Sequence, residues 1–312
     1  MSIAGRFIRA LDNPIVAKDG ISRMRSWRAP LAITLYLGLL GAFGFGIFSI
    51  EVLSSSYSRP VSAEIGAAVF GALAWFQLVL ICLFAPALAS AAISGERERQ
   101  TFDVLLVSGV SAFGIVWGKL VASLAYMFLL IMSALPLFAA VFLFGGVDLE
   151  QFTLVQIITV VTASSIGAVS LLCSAVFRRT LTSTVSSYGA CFALVAGTAV
   201  AGVILSYIKV LGQTPGGLEA HPLLFANPFY ALNTILTQPS GNPIHAGRLV
   251  QLFFLARGRA SDWGPQLEPW QLSVAIMLIA GTLAIVASVI LVRGRRASLP
   301  FRRPQRAVET VP

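Results

Sequence analysis

The sequence predicts an all-α integral membrane protein with six transmembrane helices and both termini in the cytoplasm. Composition is the first indication, because 57% of the 312 residues are hydrophobic and only 11% are charged, whereas about 25% are charged in a typical soluble domain. The mean hydropathy of +0.84 agrees with this class. The second indication is a set of long apolar runs without the alternation of barrel strands, and the third is the distribution of basic residues between them.

The apolar runs place the six helices along the chain. About 20 residues at a rise of 1.5 Å cross the hydrocarbon core of a bilayer. The first run begins near Ala29, too late and too long for a cleaved signal peptide, so we expect the span itself to target the chain. Six runs reach the required length, at about 29–50, 65–93, 115–144, 152–177, 181–208 and 270–292.

The basic residues indicate the direction of the spans. Most of the 22 Lys and Arg residues precede span one, follow span six, or lie between spans two and three and spans four and five. The positive-inside rule therefore places both termini and the four charges of Glu96–Arg99 in the cytoplasm. Topology and anionic lipid headgroups account for the formal net charge of +9, so this charge does not indicate nucleic-acid binding.

The N-terminal segment has the pattern of an amphipathic helix. Ile3, Phe7 and Leu11 recur at four-residue spacing, with basic residues off that stripe, so the segment can lie in the headgroup plane. The alternative is a disordered basic arm that only enforces topology. Three divisions of the chain are expected: a cytoplasmic amphipathic or elbow segment at 1–28, a six-span membrane domain at 29–292, and a basic cytoplasmic tail at 293–312.

The segment at 209–269 is the one long external piece. It is rich in proline and glycine breaks, and its apolar stretches "LLFANPFYAL" and "LVQLFFLA" are too short to cross the bilayer. We expect re-entrant or interfacial helices on the outer side of the membrane. A small soluble subdomain is the alternative.

The loop "SGERERQTFDVLLVSG" at 94–109 has the features of a short amphipathic helix. Gly95 follows an apolar run, where a left-handed residue would end the preceding helix. Thr101 is placed to cap a new helix, Asp103 complements the dipole of its first turn, and Ser111 can begin span three. Apolar residues at i, i+3 and i+4 form a face that requires a partner: Phe102, Leu105 and Leu106.

The span interiors contain essentially no ionisable residues, since Lys119 and Lys209 lie near span ends. Ion-coupled transporters and intramembrane hydrolases need such groups at depth. His221 and His245 are too isolated for a metal site, and "GIVWGKL" lacks the spacing of a phosphate-binding loop. We therefore expect no catalytic residue, metal site or cofactor in this chain.

Small residues at four-residue spacing mark two candidate packing faces. Such residues allow helix backbones to approach closely. Packing within one subunit and dimerisation are both open. The residues are Gly38, Ala42 and Gly46 in span one, and Gly189, Ala193, Gly197 and Ala201 in span five.

The stretch "ISGERERQTFDVLLVSGVSAFGIVWGKL" resembles the signature loop of the ABC-2 type ABC-transporter permeases, and the six spans extend the resemblance over essentially the whole chain. Asp103 stands where the family favours Glu, Gln100 replaces the usual Gly, and Gly109 replaces the usual Pro. The matching residues are Gly95, Glu96, Glu98, Thr101, Leu105, Leu106, Gly118 and Lys119.

The resemblance implies a permease of the cell (cytoplasmic or inner) membrane, by the family's habit an exporter, without an ATPase site of its own. It would form a homodimer, or a heterodimer with a similar permease, and bind cytoplasmic ATP-binding-cassette subunits that carry the ATP and Mg. The elbow helix and a cytoplasmic coupling helix between spans two and three would receive them. The coupling residues implied are Gly95, Glu96, Arg97, Glu98, Arg99, Thr101, Phe102, Asp103, Leu105 and Leu106, with the four charges making polar contacts and Phe102, Leu105 and Leu106 inserting into a cleft.

Two other functions fit parts of the pattern. A membrane scaffold or assembly factor could dock a cytoplasmic partner through the same loop without transporting anything. An ion-coupled transporter would also have many spans, but the missing buried charges disfavour it.

Overall fold

The computed structural model describes residues 27–54, 62–107, 110–211, 222–237 and 268–297. These residues form ten α-helices and no strand. A π-helical turn, Ala193–Gly197, joins α7 to α8, and a 3₁₀ turn, Pro222–Ala226, precedes α9. The helices are α1 Arg28–Ser54, α2 Ser62–Ala89, α3 Ser94–Glu98, α4 Phe102–Val107, α5 Ala112–Phe142, α6 Leu149–Val176, α7 Thr180–Phe192, α8 Thr198–Leu211, α9 Pro228–Leu236 and α10 Pro269–Ala297.

Six helical segments in these ranges are long and apolar enough to cross a membrane, which confirms the all-helical class and the number of spans. The amphipathic stripe of Ile3, Phe7 and Leu11, the stretch "LVQLFFLA" and most of the basic tail lie outside the described residues. The candidate spans are Pro30–Leu53, Ala63–Glu98, Ala112–Phe142, Leu149–Val176, Thr180–Leu205 and Pro269–Arg295.

Helix α6 is the centre of the bundle and packs against α2, α5, α7, α9 and α10. Small side chains allow this close packing. A Cβ added to Gly167 would lie 3.1 Å from Met127 Cε, and one added to Gly281 of α10 would lie 3.4 Å from Ser165 Cα. The Ser165 hydroxyl donates a 2.7 Å hydrogen bond to the Met277 carbonyl, so α10 is also attached to α6 by a polar contact.

Aromatic side chains fill the part of the core between α2, α5 and α6. The rings of Phe70 and Phe138 meet edge to face with centroids 5.6 Å apart. Phe152 of α6 lies 6.1 Å from Phe138 and 6.5 Å from Phe70, again between ring centroids. Edge-to-face aromatic pairs stabilise a core beyond the burial of their area.

The described part of the long external segment, residues 222–237, packs inside the bundle. Leu224, Ala231 and Leu232 are fully buried. Asn227 is also buried; its side-chain oxygen accepts from Phe229 N at 2.9 Å, and its amide donates to Val195 O in the π-helical turn at 2.7 Å. In this part of the segment, the short helix α9 is therefore an integral part of the membrane bundle.

Candidate functional site

Helix α3 ends in a Schellman motif whose left-handed residue is Gln100, with φ of 58°. Gln100 N donates to Arg97 O at 3.0 Å, and Thr101 N donates to Glu96 O at 2.9 Å; these are the two bonds of that motif. Gln100 occupies the position at which the ABC-2 type permeases, which this loop resembles, favour Gly. A left-handed backbone explains that preference, because only Gly adopts it without steric cost.

The expectation that Gly95 is a left-handed cap is wrong. Gly95 lies within α3, and the described glycines with positive φ are Gly145 and Gly146 in the turn between α5 and α6. Between α2 and α3 the backbone stays right-handed, because Ala92 N donates to Ala89 O and Gly95 N donates to Ala91 O. The described chain passes from α2 to α3 without a left-handed residue.

Glu96 of α3 forms a salt bridge with Lys119 of α5, with Oε1 and Nζ 2.9 Å apart. The side chain of Lys119 is only 7% exposed and that of Glu96 is 26% exposed. The Thr101 hydroxyl donates to the other carboxylate oxygen of Glu96. A largely buried ammonium needs such a partner. The bridge therefore joins two parts of the quoted loop, Gly95-Glu96 and Gly118-Lys119, across the start of span three.

Arg97 binds the C-terminal end of α6. Its Nη2 donates to Ala175 O at 2.8 Å and its Nη1 donates to Phe177 O at 3.1 Å. The guanidinium also lies over the ring of Phe102, 4.9 Å from the centroid. The C-terminal carbonyls of a helix carry partial negative charge, so a cation is stabilising there.

Glu98 binds the N-terminal end of α7. Its Oε1 accepts from Thr180 N and its Oε2 accepts from the Thr180 hydroxyl, both at 2.8 Å. Arg179, the residue at the N-cap position, makes no side-chain capping bond of its own. Glu98 therefore supplies both the missing acceptor and the negative charge that favours a helix N-terminus.

Serines from two helices, α6 and α7, fasten the junction of α2 and α3. The hydroxyl of Ser174 on α6 accepts from Ile93 N and from Ser94 N, each at 2.9 Å. The hydroxyl of Ser183 on α7 donates to Ser90 O at 2.7 Å. Sequence reasoning missed Ser174, Thr180 and Ser183 because single hydroxyl residues within apolar helices carry no recognisable spacing.

Helix α4 begins at Phe102, directly after Thr101, and Ser111 caps α5 by accepting from Gly114 N at 3.0 Å, as expected. The positions of the apolar side chains of α4 differ from expectation. Phe102 and Leu106 are buried in the chain's own core with residues of α5 and α6, whereas Val104 is 72% exposed. The side chains of Asp103 and Leu105 lie outside the described set. Two of the three side chains expected to insert into a partner therefore hold α4 on the bundle instead.

The predicted small-residue faces make no close packing contact with another described helix. A Cβ added to Gly38, Gly46 or Gly189 would meet no atom within 4 Å, and Ala42, Ala193 and Gly197 are exposed while Ala201 is half-buried. Close approach within the chain is instead made by Gly44 and Gly202. Added Cβ atoms there would lie 2.8 Å from Leu73 Cδ2 and 2.6 Å from Leu224 Cγ. Packing of the predicted faces against a second chain stays a prediction.

Comparison with known proteins identifies the family of this chain. The model of a family described as ABC-2 family transporter protein matches residues 56–291. No curated protein matches the chain. The family match covers the region from the start of α2 to near the end of α10, including the loop built by α3 and α4. The chain therefore belongs to the ABC-2 transporter family and is a multi-pass membrane permease of that family.

Proposed function

We propose that this permease is the membrane subunit of an ATP-binding-cassette transporter, driven by ATP hydrolysis on a separate cytoplasmic subunit through α3 and α4. The charges support a cytoplasmic position for this end of the bundle. Its described cations are Arg97, Arg99, Lys119, Arg178, Arg179, Arg293 and Arg295, whereas the charged side chains described at the opposite end are all acidic: Glu51, Glu64, Asp148, Glu150 and Glu268.

One observation carries the proposal: three consecutive side chains of α3 each bind a different span. Glu96 binds Lys119 of α5, Arg97 binds the end of α6, and Glu98 binds the start of α7. A displacement of α3 would therefore move three spans together with α2, to which α3 is joined. A loop that only connected two spans would need none of these attachments. We infer that these charges transmit motion inside the permease.

The surface that would receive the partner then consists of the exposed part of the same loop. Arg99, Gln100, Thr101 and Val104 are all exposed there. Closure of the ATP-hydrolysing subunits would push this surface and tilt the attached spans, so that the permeation pathway alternates its access. We propose export as the direction, following the family's habit. The absence of ionisable residues from the span interiors fits hydrophobic or amphipathic cargo.

We also propose that two permease chains assemble. The outward position of the small residues Gly189, Ala193 and Gly197 supports this, because such faces permit close contact between helices in a bilayer. Co-expression of differently tagged copies would show whether the second chain is identical or a similar permease.

A pair of matched substitutions tests the partner surface. Val104→Asp places a charge on the exposed face of α4, and Leu143→Asp places the same charge at the opposite end of the bundle, where Leu143 is 88% exposed. Each variant is purified with the cognate ATP-binding-cassette subunit and reconstituted into proteoliposomes for an ATPase assay. We expect Val104→Asp to lose both co-purification and stimulation of ATPase activity, while Leu143→Asp retains both.

The ATPase assay, together with a transport assay on the same proteoliposomes, separates the other functions. Full retention of complex formation and ATPase stimulation by Val104→Asp would refute the assigned surface. A scaffold would bind the partner without changing its ATPase activity. An ion-coupled transporter would continue to transport after ATP depletion and would stop on addition of an uncoupler.

A further inference from the structure

Two arginines converge on three consecutive carbonyls at the C-terminal end of α6, and a third arginine follows directly. Arg97 donates to the carbonyls of Ala175 and Phe177, and Arg295 of α10 donates to the carbonyl of Val176 at 3.3 Å. Arg178 is exposed on the turn that leaves α6. Side chains from α3, α10 and the α6–α7 turn are thereby brought to one helix end.

The three guanidinium groups lie close enough to repel one another. Arg97 is repelled electrostatically by both Arg295 and Arg178, and Arg295 is repelled by Arg178. The carbonyl end of a helix contributes only about half a negative charge, which balances less than one of the three cations. Arg97 is half-buried, so solvent screens this repulsion incompletely.

Two acidic side chains are described at this end, Glu96 and Glu98, and both bind other groups. Glu96 pairs with Lys119. Glu98 binds Thr180 and feels the charge of Arg179. The cluster of Arg97, Arg178 and Arg295 therefore places three positive charges at one helix end, where a phosphate would meet all of them.

These three arginines lie at the depth of lipid headgroups. Helix α6 has 28 residues and is about 42 Å long at 1.5 Å per residue. The hydrocarbon core of a bilayer is about 30 Å thick, so the ends of α6 extend into the headgroup layer. Basic side chains between helix ends at this depth are the chemistry that anionic headgroups recognise.

An exposed apolar stripe leads along α10 to the same end. Ile279, Leu283, Val286 and Ile290 are all exposed, and their spacing of four, three and four residues puts them on one helix face. Arg293 continues the spacing and is also exposed. The stripe offers a surface for an acyl chain, with an arginine where the headgroup would lie.

We propose that the C-terminal ends of α6 and α10 bind the phosphate of an anionic phospholipid. Arg178 and Arg295 contact the phosphate, Arg293 lies at the rim, and an acyl chain follows the stripe of α10. Arg97 remains on its helix-end carbonyls and contributes charge. The site is independent of the proposed docking of an ATPase subunit, and a lipid held here would brace the α6–α7 turn to which α3 is attached.

The test compares two double variants that remove the same charge from the same end. Arg178→Gln with Arg295→Gln removes two members of the cluster, and Arg99→Gln with Arg179→Gln removes two exposed arginines outside it. The full chain is placed in detergent with phosphatidylglycerol or phosphatidylcholine, and retained lipid is counted by native mass spectrometry. We expect about a hundredfold weaker retention of phosphatidylglycerol in the cluster variant, roughly tenfold for each of the two charge-assisted contacts removed, and little change in the other.

Three further measurements complete the test. The single variant Arg178→Gln, which removes no hydrogen bond described within the chain, is expected to weaken phosphatidylglycerol retention and to keep the unfolding temperature measured in phosphatidylcholine. Equal losses of lipid in both double variants would overturn the site in favour of diffuse attraction to the basic surface. Stabilisation by inorganic phosphate alone, equal to that by phosphatidylglycerol, would overturn the lipid as its occupant.

Discussion

Arg97 and Glu98 are neighbours in the chain, and they bind the facing ends of two different helices. Arg97 donates to carbonyls at the end of α6, and Glu98 accepts from the backbone and hydroxyl of Thr180 at the start of α7. Each charge opposes the partial charge of the helix end that it meets. Two adjacent residues of α3 thereby fasten the turn between spans four and five.

Loss of the Arg97 guanidinium is expected to destabilise the permease. Arg97→Met keeps an apolar stem over Phe102 but removes two charge-assisted hydrogen bonds, so the free energy of unfolding should fall by about 2 kcal/mol. The control is Arg99→Met, at an exposed position of the same loop, with an expected change below about 0.5 kcal/mol. Unfolding in one detergent measures both, and equal effects would contradict the role given to the α6 end.

The left-handed backbone of Gln100 predicts a stabilising substitution. Gln100→Gly removes the Cβ that makes a φ of 58° unfavourable, and we expect the free energy of unfolding to rise by about 1 kcal/mol. Gln100→Ala retains the Cβ and should give no such gain. Thermal unfolding of the two variants decides the matter, and a gain for Ala as large as that for Gly would point to the side chain instead.

The bridge between Glu96 and Lys119 is accessible to a double-mutant cycle. Lys119→Met removes a largely buried cation from a partly exposed carboxylate, and we expect a loss of about 2 kcal/mol in unfolding free energy. Glu96→Gln and the double variant complete the cycle. The two losses should be non-additive by about 1 kcal/mol, because they remove the same contact; strict additivity would mean that the two side chains stabilise the loop separately.

Gln77 of α2 is fully buried, and among the described residues its amide makes no hydrogen bond of normal geometry, although the buried Tyr36 hydroxyl of α1 is a polar neighbour. Gln77→Leu removes an unsatisfied polar group from the membrane interior and should raise the free energy of unfolding by about 1–2 kcal/mol. Gln151→Leu is the matched control, because Gln151 donates to Ile235 O at 3.3 Å, and this variant should lose stability. A destabilised Gln77→Leu would reveal a partner for this amide.

Local sequence was sufficient for the elements that depend on one segment at a time. The length of each apolar run predicted six spans, which the long helices match. Ser111 was placed correctly as the cap of α5, since a cap depends on residues within one turn. The cytoplasmic side of the loop, inferred from basic residues, stays a prediction of the same local kind.

The interior contacts of the loop could not be obtained in this way. Phe102 and Leu106 were expected to face a partner because their spacing defines an apolar face, but spacing does not say which neighbour covers that face. Likewise a left-handed residue was expected at Gly95, at the end of the preceding helix, on intrinsic propensity. The left-handed residue of the loop is Gln100, at the end of α3, where its own bond and that of Thr101 to the preceding turn hold this backbone.

The number of crossings and the candidate coupling loop thus follow from composition, because hydrocarbon thickness and the cost of burying charge act on each stretch of chain separately. The role of the loop's charges inside the bundle depends on the packing of α6 between α2, α7 and α10. That packing brings Arg97 and Glu98 to helix ends roughly 80 residues further along the chain, and no pattern within the loop itself contains the positions of those ends.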